Sequence, residues 1–586
     1  MKTHLSPCPR RKGYALVLVL CFLGISALML GGILNWCSQL GTQVERNNRY
    51  NRTLAAAEAA TEKVLSRISK DFQGGGEAIV YDNLGQYRTM VPSSAEDGYW
   101  SGYQFSTPEG AAGQVFVNRL NEAQQTLLDS QYAGLYGLAA QYEVAARACD
   151  VSGVVDVAAA VKQTVQVATI PVFQFAIFYS VDLEIHPGAN MNITGRVHSN
   201  SKLYTTPNSG VTCTYKSHAT SADKILIYGK KDGDLRSLNP HGTAVFQAEM
   251  DEYVSTLNLP VGTSNSPDDV YRILEIPPFG ESPASPLGQQ RYYNKADVII
   301  RVTDAGVVAT SGNYIDGCAT VLAPSIVSNF VSTTKTFYNG REQITVRVTD
   351  INVAAFKAWA EAANPIRTLL GERAPNSIFV DDLRTPVSGT QPGVRLYNGA
   401  ELPERGLTVA TPEPIYVQGH YNAPSSIRGT LNTTGTKPAS LVGDAITVLS
   451  SSWLDSQNGG SAPGYRPAVN TTVNAAFLAG IKETAPHDNY TKEGYSGGVE
   501  NFPRFLENWS GKTFTYNGSM VVLFFSKIAT GWWAGTGSYY SPPKRNWAFD
   551  VNFLDARKLP PGTPCVRSMI RGQWTTIGAN PNICAN

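Results

Sequence analysis

The sequence predicts a mainly β chain with one long N-terminal α-helix, a small α+β unit behind that helix, and then a large β domain. A charge-free apolar run near the N-terminus, followed by an amphipathic stretch, predicts the helix. A content of 53 Gly and 34 Pro and many short strand-like segments closed by polar turns predict the β domain. Segments of this length suit a β-helix, with a β-sandwich as the alternative.

The N-terminal helix is predicted to begin in a membrane. A basic cluster precedes Gly13, and an apolar run without charges then continues to Leu34. About 21 residues at about 1.5 Å each match the roughly 30 Å hydrocarbon core of a bilayer. The cluster consists of Arg10, Arg11 and Lys12. Because basic residues stay on the cytoplasmic side, the remainder of the chain is predicted to be exported.

Other kinds of N-terminus fit these residues less well. A cleaved signal peptide has a shorter apolar region, of about 7–15 residues, and a small-residue cleavage site. A lipoprotein would use Cys37, but the bulky Trp36 stands directly before it. A plain signal anchor fits the hydropathy and remains the alternative.

The N-terminal region resembles a type IV prepilin, and within that group the PilX-type minor pilins and the large pseudopilins of type II secretion. The resemblance covers residues 8–72. It is carried by RRKGYALVLVL (Arg10–Leu20) and by NRYNRTLAAAEAATEKVLSRI (Asn48–Ile68), which is similar to the alanine-rich stretch with a Glu pair in PilX-type proteins. A helix packed on a small sheet is the general plan that this resemblance implies.

The resemblance also implies a processing site and an assembly segment. Prepilin peptidase would cut between Gly13 and Tyr14, and the new N-terminus would be methylated. The segment that lies first in the membrane and then in a filament would include Leu16, Leu18, Leu20 and Leu23. The implied partners are prepilin peptidase, other pilin or pseudopilin subunits and the bacterial inner membrane.

Two residues depart from the pattern of that family. Tyr14 stands where Phe is usual, and Leu18 stands at the fifth mature position, where most major pilins have Glu. That Glu is thought to offset the ammonium of a neighbouring subunit in the apolar filament core, where an unpaired charge is costly. Leu18 therefore favours a tip or initiating role over that of a repeating subunit.

The chain divides into five predicted regions. In order these are a leader (1–13), a membrane and amphipathic helix (14–72), a small α+β unit (77–170), a β-rich domain (171–450) with an irregular insertion at about 205–395, and a C-terminal capping region (451–586). Within them, Glu122–Gln131, Ala244–Leu257 and Val353–Leu370 are predicted helices. An aromatic-rich stretch near the C-terminus is predicted to fill the core of the cap, with binding of sugars or a partner protein by exposed rings as the alternative. Its residues are Trp509, Trp532, Trp533, Tyr539, Tyr540 and Trp547.

Catalytic and metal sites are not predicted. His198 with Ser199 and His420 with Tyr421 lack the sequence context of a known active site. The acidic pairs Asp182/Glu184 and Asp381/Asp382 are the nearest match to the carboxylates of β-helix polysaccharide enzymes. The cysteine and histidine spacing gives no zinc pattern.

The cysteines predict a disulfide, and the balance of charges bears on the expected partners. Eight cysteines are present, and a disulfide between Cys565 and Cys584 is the preferred pair because it would clamp the C-terminal tail. Lys and Arg number 48 against 47 Asp and Glu, so nucleic acid is not an expected partner.

These observations predict a non-enzymatic protein without cofactors. It would be a minor pilin or pseudopilin that presents a large exported β domain for adhesion or assembly and contacts a surface ligand or polysaccharide. The alternative is an envelope-anchored β-helix adhesin or polysaccharide-active protein outside any filament.

Overall fold

The protein is described from a computed structural model. It covers residues 13–152, 156–228, 241–312, 319–457, 466–484, 494–533, 535, 537 and 539–578. The chain begins with the helix α1 (Ala15–Gly75), close to the predicted 14–72. This helix ends because Gly76 adopts a φ of 80°, a conformation that few other residues tolerate. Two short helices follow, α2 (Glu77–Asp82) and α3 (Leu84–Arg88).

A small antiparallel sheet packs against the second half of α1. Its longest strands form a hairpin whose register runs from Leu138 opposite Thr169 to Asp150 opposite Val157. The first three short strands pair along the outer edge of β4. The strands are β1 (Tyr103–Ser106), β2 (Phe116–Arg119), β3 (Gln124–Leu127), β4 (Tyr136–Asp150) and β5 (Val157–Pro171).

The chain then enters a parallel β-helix. Its first coils have three faces, and corresponding strands of successive coils pair in parallel. The strands are β6 (Ile177–Tyr179), β7 (Leu183–Ile185), β8 (Met191–Ile193), β9 (Val197–Ser199), β10 (Leu203–Thr205), β11 (Thr212–Tyr215), β12 (Ala219–Ser221), β13 (Ile225–Ile227), β14 (Thr243–Phe246) and β15 (Met250–Asp251).

A second series of coils carries the short helices and the longer turns. Its helices are α4 (Pro267–Tyr271), α5 (Pro286–Gln290), α6 (Tyr292–Lys295), α7 (Pro324–Val327), α8 (Val353–Glu361) and α9 (Pro365–Leu369). Its first strands are β16 (Val298–Thr303), β17 (Gly306–Ser311), β18 (Val331–Ser332), β19 (Thr336–Asn339), β20 (Ile344–Asn352), β21 (Ser377–Asp382), β22 (Thr390–Tyr397), β23 (Leu407–Ala410) and β24 (Ile415–Gln418). They are followed by β25 (Ala439–Gly443), β26 (Ile446–Leu449), β27 (Thr471–Asn474), β28 (Ala476–Ala479), β29 (Arg504–Phe505), β30 (Thr513–Gly518), β31 (Met520–Val522) and β32 (Lys544–Phe549).

The two series of coils join in the middle of the β-helix. Along one face the strands stack in the order β15-β12-β9-β6-β31-β28-β25-β23-β21-β16-β17. The chain therefore enters at the centre, winds to one end, crosses to the far end and winds back until β31 lies beside β6. One apolar ladder crosses this join, through Leu441, Phe477, Met520, Ile177 and Val197, all of them buried.

The chain leaves the β-helix to complete the small sheet. Its last described strand, β33 (Cys565–Ile577), pairs antiparallel with β5 from Cys565 opposite Pro171 to Ile577 opposite Ala160. The β-helix is thus inserted between the last two strands of the small sheet. We call residues 49–75 of α1, together with α2, α3, β1–β5 and β33, the head module.

The structure confirms a long N-terminal helix with a large β domain, and the β domain is a β-helix rather than the alternative β-sandwich. It differs from the predicted regions at the C-terminus. Residues 471–484 and 494–522 form coils instead of a cap, and Cys565–Ile577 belongs to the head module. Glu122–Gln131 and Ala244–Leu257, predicted as helices, hold strands β3, β14 and β15. The predicted helix Val353–Leu370 is divided into two, α8 and α9.

Candidate functional site: the projecting helix and its seat

The first half of α1 stands clear of the rest of the molecule. Every residue from Gly13 to Asn48 is exposed, and we call this stretch the projecting segment. At about 1.5 Å per residue it is about 50 Å long. The site residues predicted from the sequence all lie on it: Tyr14, Leu16, Leu18, Leu20 and Leu23 are 70%, 70%, 55%, 59% and 61% exposed.

Up to Leu34 the projecting segment is apolar on all its sides. No charged residue occurs from Gly13 to Val44, and large apolar side chains follow one another around the helix. By length and composition α1 is apolar enough to cross a membrane, and it is the one such helix in the described part of the chain. A helix that is apolar all round is suited to a bilayer or to a packed helical core, since a water-facing helix keeps a polar face.

The second half of α1 lies in a seat formed by the small sheet. Small side chains allow close approach, and Ala56, Ala57 and Ala60 are buried against the sheet. Farther along, Val64 and Ile68 are fully buried in the same core. The alanine-rich stretch of the sequence therefore packs on the protein's own sheet, through one side of the helix.

An ion pair fixes the lower end of the seat. Arg49 Nε donates to Asp150 Oδ2 at 2.9 Å, where the projecting segment meets the end of β4. Burial pushes the pKa of Asp150 upward, but hydrogen bonds from Arg49 and Ser152 outweigh this effect, so the pKa lies below its usual value. The carboxylate is thus charged at neutral pH and holds the arginine.

The upper end of the seat is fixed by the last strand. The Arg567 guanidinium donates to the carbonyl oxygens of Phe72 and Gln73, at 3.2 and 2.9 Å. A cation at this position is favourable beside the carbonyls of the last helical turn, of which that of Phe72 also accepts from the backbone N–H of Gly76. In return the Gln73 side chain donates to the Arg567 carbonyl at 2.7 Å. On the same strand, Arg571 forms a bidentate ion pair with Glu62.

The seat therefore holds α1 at three levels, through β4, the sheet face and β33. Two of the ties come from residues about 500 positions away in sequence, Arg567 and Arg571. Sequence reasoning missed them because no motif surrounds either arginine. They connect the second half of α1 to the strand that follows the β-helix in sequence.

The predicted disulfide is not formed at Cys565. Cys565 carries a free thiol, which disagrees with the predicted Cys565–Cys584 bridge, and Cys584 lies outside the described residues. Cys149 is disulfide-bonded instead. The other free thiols among the described residues are those of Cys21, Cys37 and Cys213.

The weak catalytic candidates have structural partners. His198 is buried in the β-helix, stacked on Phe178, and its ring nitrogens bond Thr220 and Asn200 at 2.8 and 2.9 Å. Burial lowers the pKa of His198 to about 4. Asp382 pairs with Arg384. Within the described residues, no cluster of three or more His, Cys, Asp or Glu is placed to hold a metal ion.

The remaining candidates also lie within the framework of the β-helix. Asp182 accepts a bond from Ser201, and Glu184 from the backbone and side chain of Ser496. His420 accepts a bond from the backbone of Thr472. The aromatic-rich stretch is largely core, as expected from the sequence, with these side chains buried: Trp509, Tyr539, Tyr540 and Trp547.

No family model matches the chain, and no curated protein matches it. Among solved structures, it is similar to one titled "Crystal structure of competence-associated pilin ComZ from Thermus thermophilus". The identity is 11%, the match covers 90% of this chain and 97% of that chain, and the TM-score of 0.29 is too low to equate the two folds.

Proposed function

We propose that this chain is a minor pilin or pseudopilin. It is cut after Gly13, and it assembles at or near the tip of a type IV pilus or type II secretion pseudopilus. There it presents the β-helix for adhesion or assembly. Before assembly it is a single-pass protein of the inner membrane with its head module and β-helix exported.

The projecting segment is the observation that carries this proposal. Burying one Leu or Phe side chain is worth about 1.5–3 kcal/mol. Seventeen large apolar residues of the projecting segment are exposed, so their exposure to water costs on the order of tens of kcal/mol. A bilayer and a bundle of similar helices are two environments that remove this cost, and a pilin occupies them in turn.

The seat supports a role in a filament rather than simple tethering. A tether needs no fixed geometry between anchor and domain, and a flexible linker would serve. Here α1 continues without a break from the projecting segment into the head module, and the ties from Arg49, Arg567 and Arg571 fix its direction. A fixed direction is what a subunit needs if its head is to sit in a defined place on a helical assembly.

The size of the β-helix and the residue Leu18 support the proposed tip position. The β-helix inserted into the head module is much larger than the head module itself, and a subunit of this shape fits at an end more readily than in a closely packed repeat. Leu18 provides no carboxylate for the ammonium of a neighbouring subunit. We also propose that the protein is not an enzyme, since the candidate catalytic side chains of His198, Glu184 and Asp382 serve as hydrogen-bond or ion-pair partners within the β-helix framework.

The proposal is tested at the N-terminus and in the filament. The full-length protein is expressed in a host with a type IV pilus system, and its N-terminal peptide is measured by mass spectrometry. We expect methylated Tyr14 as the first residue and recovery of the protein with sheared filaments. Gly13→Leu is expected to retain the leader and abolish recovery with filaments, whereas the leader control Cys8→Ser is expected to behave like the wild type.

An intact Met1 on protein that never enters the filament fraction would contradict the proposal. It would favour an envelope-anchored adhesin or polysaccharide-active protein instead.

A further inference from the structure

A groove crosses one face of the β-helix where three parallel strands end. Tyr397 closes β22, Gln418 closes β24 directly opposite it, and Ser451 follows β26. The groove has a volume of about 320 Å³, within the usual range for small-ligand sites. Its outer wall is formed by Lys335, before the strand β19, and by Arg428.

The floor of the groove is rigid and electrically neutral. Arg395 donates to Asp350 at 2.6 and 3.0 Å and to Asp455 at 2.6 and 3.1 Å. Two carboxylates thus surround one buried guanidinium, and the second negative charge is balanced by Lys335, whose Nζ lies 3.8 Å from Asp350. These four side chains hold the site together and leave it without net charge.

Arg428 adds an uncompensated positive charge at the rim. Its Nε donates to the carbonyl of Ala423 at 3.0 Å, which orients the guanidinium. Among the described residues no carboxylate lies within ion-pair distance of Arg428. An exposed, oriented and unpaired guanidinium is suited to bind a carboxylate through two parallel hydrogen bonds.

The groove also supplies neutral hydrogen-bonding groups. The backbone N–H of Thr472 donates to His420 Nδ1 at 3.1 Å, so the neutral ring carries its proton on Nε2. Burial and the charge of Arg428 lower the pKa of His420, which keeps the ring neutral at pH 7. Asn398 and Ser451 are exposed at the same groove, and their amide and hydroxyl groups match the hydroxyls of a sugar.

We propose that this groove binds an acidic saccharide, with the carboxylate of a uronic acid on Arg428 and the sugar hydroxyls on Asn398, His420 and Ser451. This inference rests on the proposed presentation of the β-helix at the cell surface, for which it supplies the class of ligand. Because the floor of the groove carries no net charge, the groove favours a ligand with a single charged group, bound at Arg428.

A nucleic acid fits the groove less well. Its regularly spaced phosphates need a track of cations, and the floor arginine here is already saturated by Asp350 and Asp455. The chain as a whole has a formal net charge of +1, which gives no long-range attraction for a polyanion.

The test uses the detergent-solubilised full-length protein and trigalacturonate as the probe, with binding measured by calorimetry. Uncharged maltotriose, inorganic phosphate and a single-stranded oligonucleotide are the comparison ligands. We expect saturable binding of trigalacturonate that weakens with salt and is at least about tenfold tighter than binding of the three comparison ligands. Arg428→Gln is expected to weaken it by about tenfold or more.

Two further variants keep the test specific. Asn398→Asp places a negative charge at the same rim and is expected to weaken binding, and Asp tolerates the positive φ of 56° found there. Arg405→Gln changes another exposed arginine of the same domain and is expected to leave binding unchanged. Thermal unfolding of each variant verifies that the fold is retained.

Absence of trigalacturonate binding by the wild type, or equal binding by folded Arg428→Gln, would overturn the inference. Equal or tighter binding of phosphate or the oligonucleotide would overturn it in favour of a general anion site. Because the assay uses purified protein, its result is independent of whether the chain enters a filament.

Discussion

Asp381 shows how the β-helix carries buried acidic residues at a cost in stability. It lies on β21 with 5% of its surface exposed, and its Oδ2 has no hydrogen-bond partner. Burial raises the pKa of Asp381 to about 6, with a smaller contribution from Asp382 and an opposing one from Arg301. Glu413, buried close by, also has a raised pKa because of burial and neighbouring carboxylates.

The raised pKa predicts a pH-dependent effect of Asp381→Asn. Below about pH 4 the side chain is protonated in both the folded and unfolded states, so the variant and wild type are expected to differ little through this group. As the pH rises to about 6, the folded protein still binds a proton that the unfolded chain has lost, and wild-type stability falls. At pH 7 we expect Asp381→Asn to be more stable than the wild type by up to about 3 kcal/mol. The free energy of unfolding is measured with denaturant at pH 7 and below about pH 4.

Asp555→Asn provides a control of opposite sign. Hydrogen bonds from Arg557 hold the pKa of Asp555 below its usual value. The stabilisation from Asp555 is therefore present at neutral pH and lost as the pH falls, so its variant is expected to be the less stable protein at pH 7. An equal gain in stability for Asp381→Asn at the two pH values would contradict a raised pKa of Asp381.

At the scale of single elements, α1 has two sides with different neighbours. Ala57 is fully buried in the seat, whereas Ala55, two residues away, faces solvent. The sequence alone left open whether this alanine-rich stretch packs on the protein's own sheet or on neighbouring helices. The structure assigns one side of the helix to the sheet and leaves the other side uncovered.

This difference predicts the outcome of a matched pair of substitutions. Ala57→Leu inserts a large side chain into a filled core and is expected to destabilise the head module by about 1–3 kcal/mol. Ala55→Leu is expected to change the free energy of unfolding by less than about 0.5 kcal/mol. The change in stability is measured by thermal unfolding of both variants. Equal destabilisation by the two substitutions would contradict the placement of Ala57 on the buried side of α1 and of Ala55 on the exposed side.

The elements that can be predicted from the sequence are those specified by interactions between residues close together in the chain. The helix α1 was predicted to within three residues because its hydrophobic pattern and its terminal Gly76 are local signals. Glu122–Gln131 was predicted as a helix, but pairing with β4 makes Gln124–Leu127 a strand, since tertiary contacts override local propensity. The groove near Arg428 gave no signal, because its walls come from turns of separate coils.

At the scale of the whole molecule, the order of strands was beyond prediction. Coils begin at residues as unevenly spaced as Val298, Ser377, Leu407, Ala439 and Ala476, which explains why no strict repeat is visible. The pairing of β33 with β5 joins segments about 400 residues apart. No local pattern specifies such a partner, so the last strand was assigned to a cap.

The insertion predicts that the extreme C-terminus stabilises the N-terminal helix. A chain ending at Pro564 lacks β33 and with it the ties from Arg567 and Arg571. We expect faster proteolysis within residues 49–171, by about tenfold or more, corresponding to a loss of at least about 1.4 kcal/mol against local opening. Limited proteolysis followed by mass spectrometry locates the cuts.

A chain ending at Gly578 keeps β33 and is the matched control. Both proteins are compared under reducing conditions, so that loss of a terminal cysteine does not enter the result. Equal resistance of the two truncated chains within residues 49–171 would contradict a supporting role for β33.

The late position of β33 has a consequence during synthesis. The ribosome releases the segment that locks α1 only after every coil of the β-helix has been made. A polypeptide that stops early, anywhere between Val172 and Pro564, therefore keeps an open edge on β5 and an unlocked α1. The head module of such a product is therefore incomplete, because β5 has no partner strand on that edge and α1 lacks its contacts with Arg567 and Arg571.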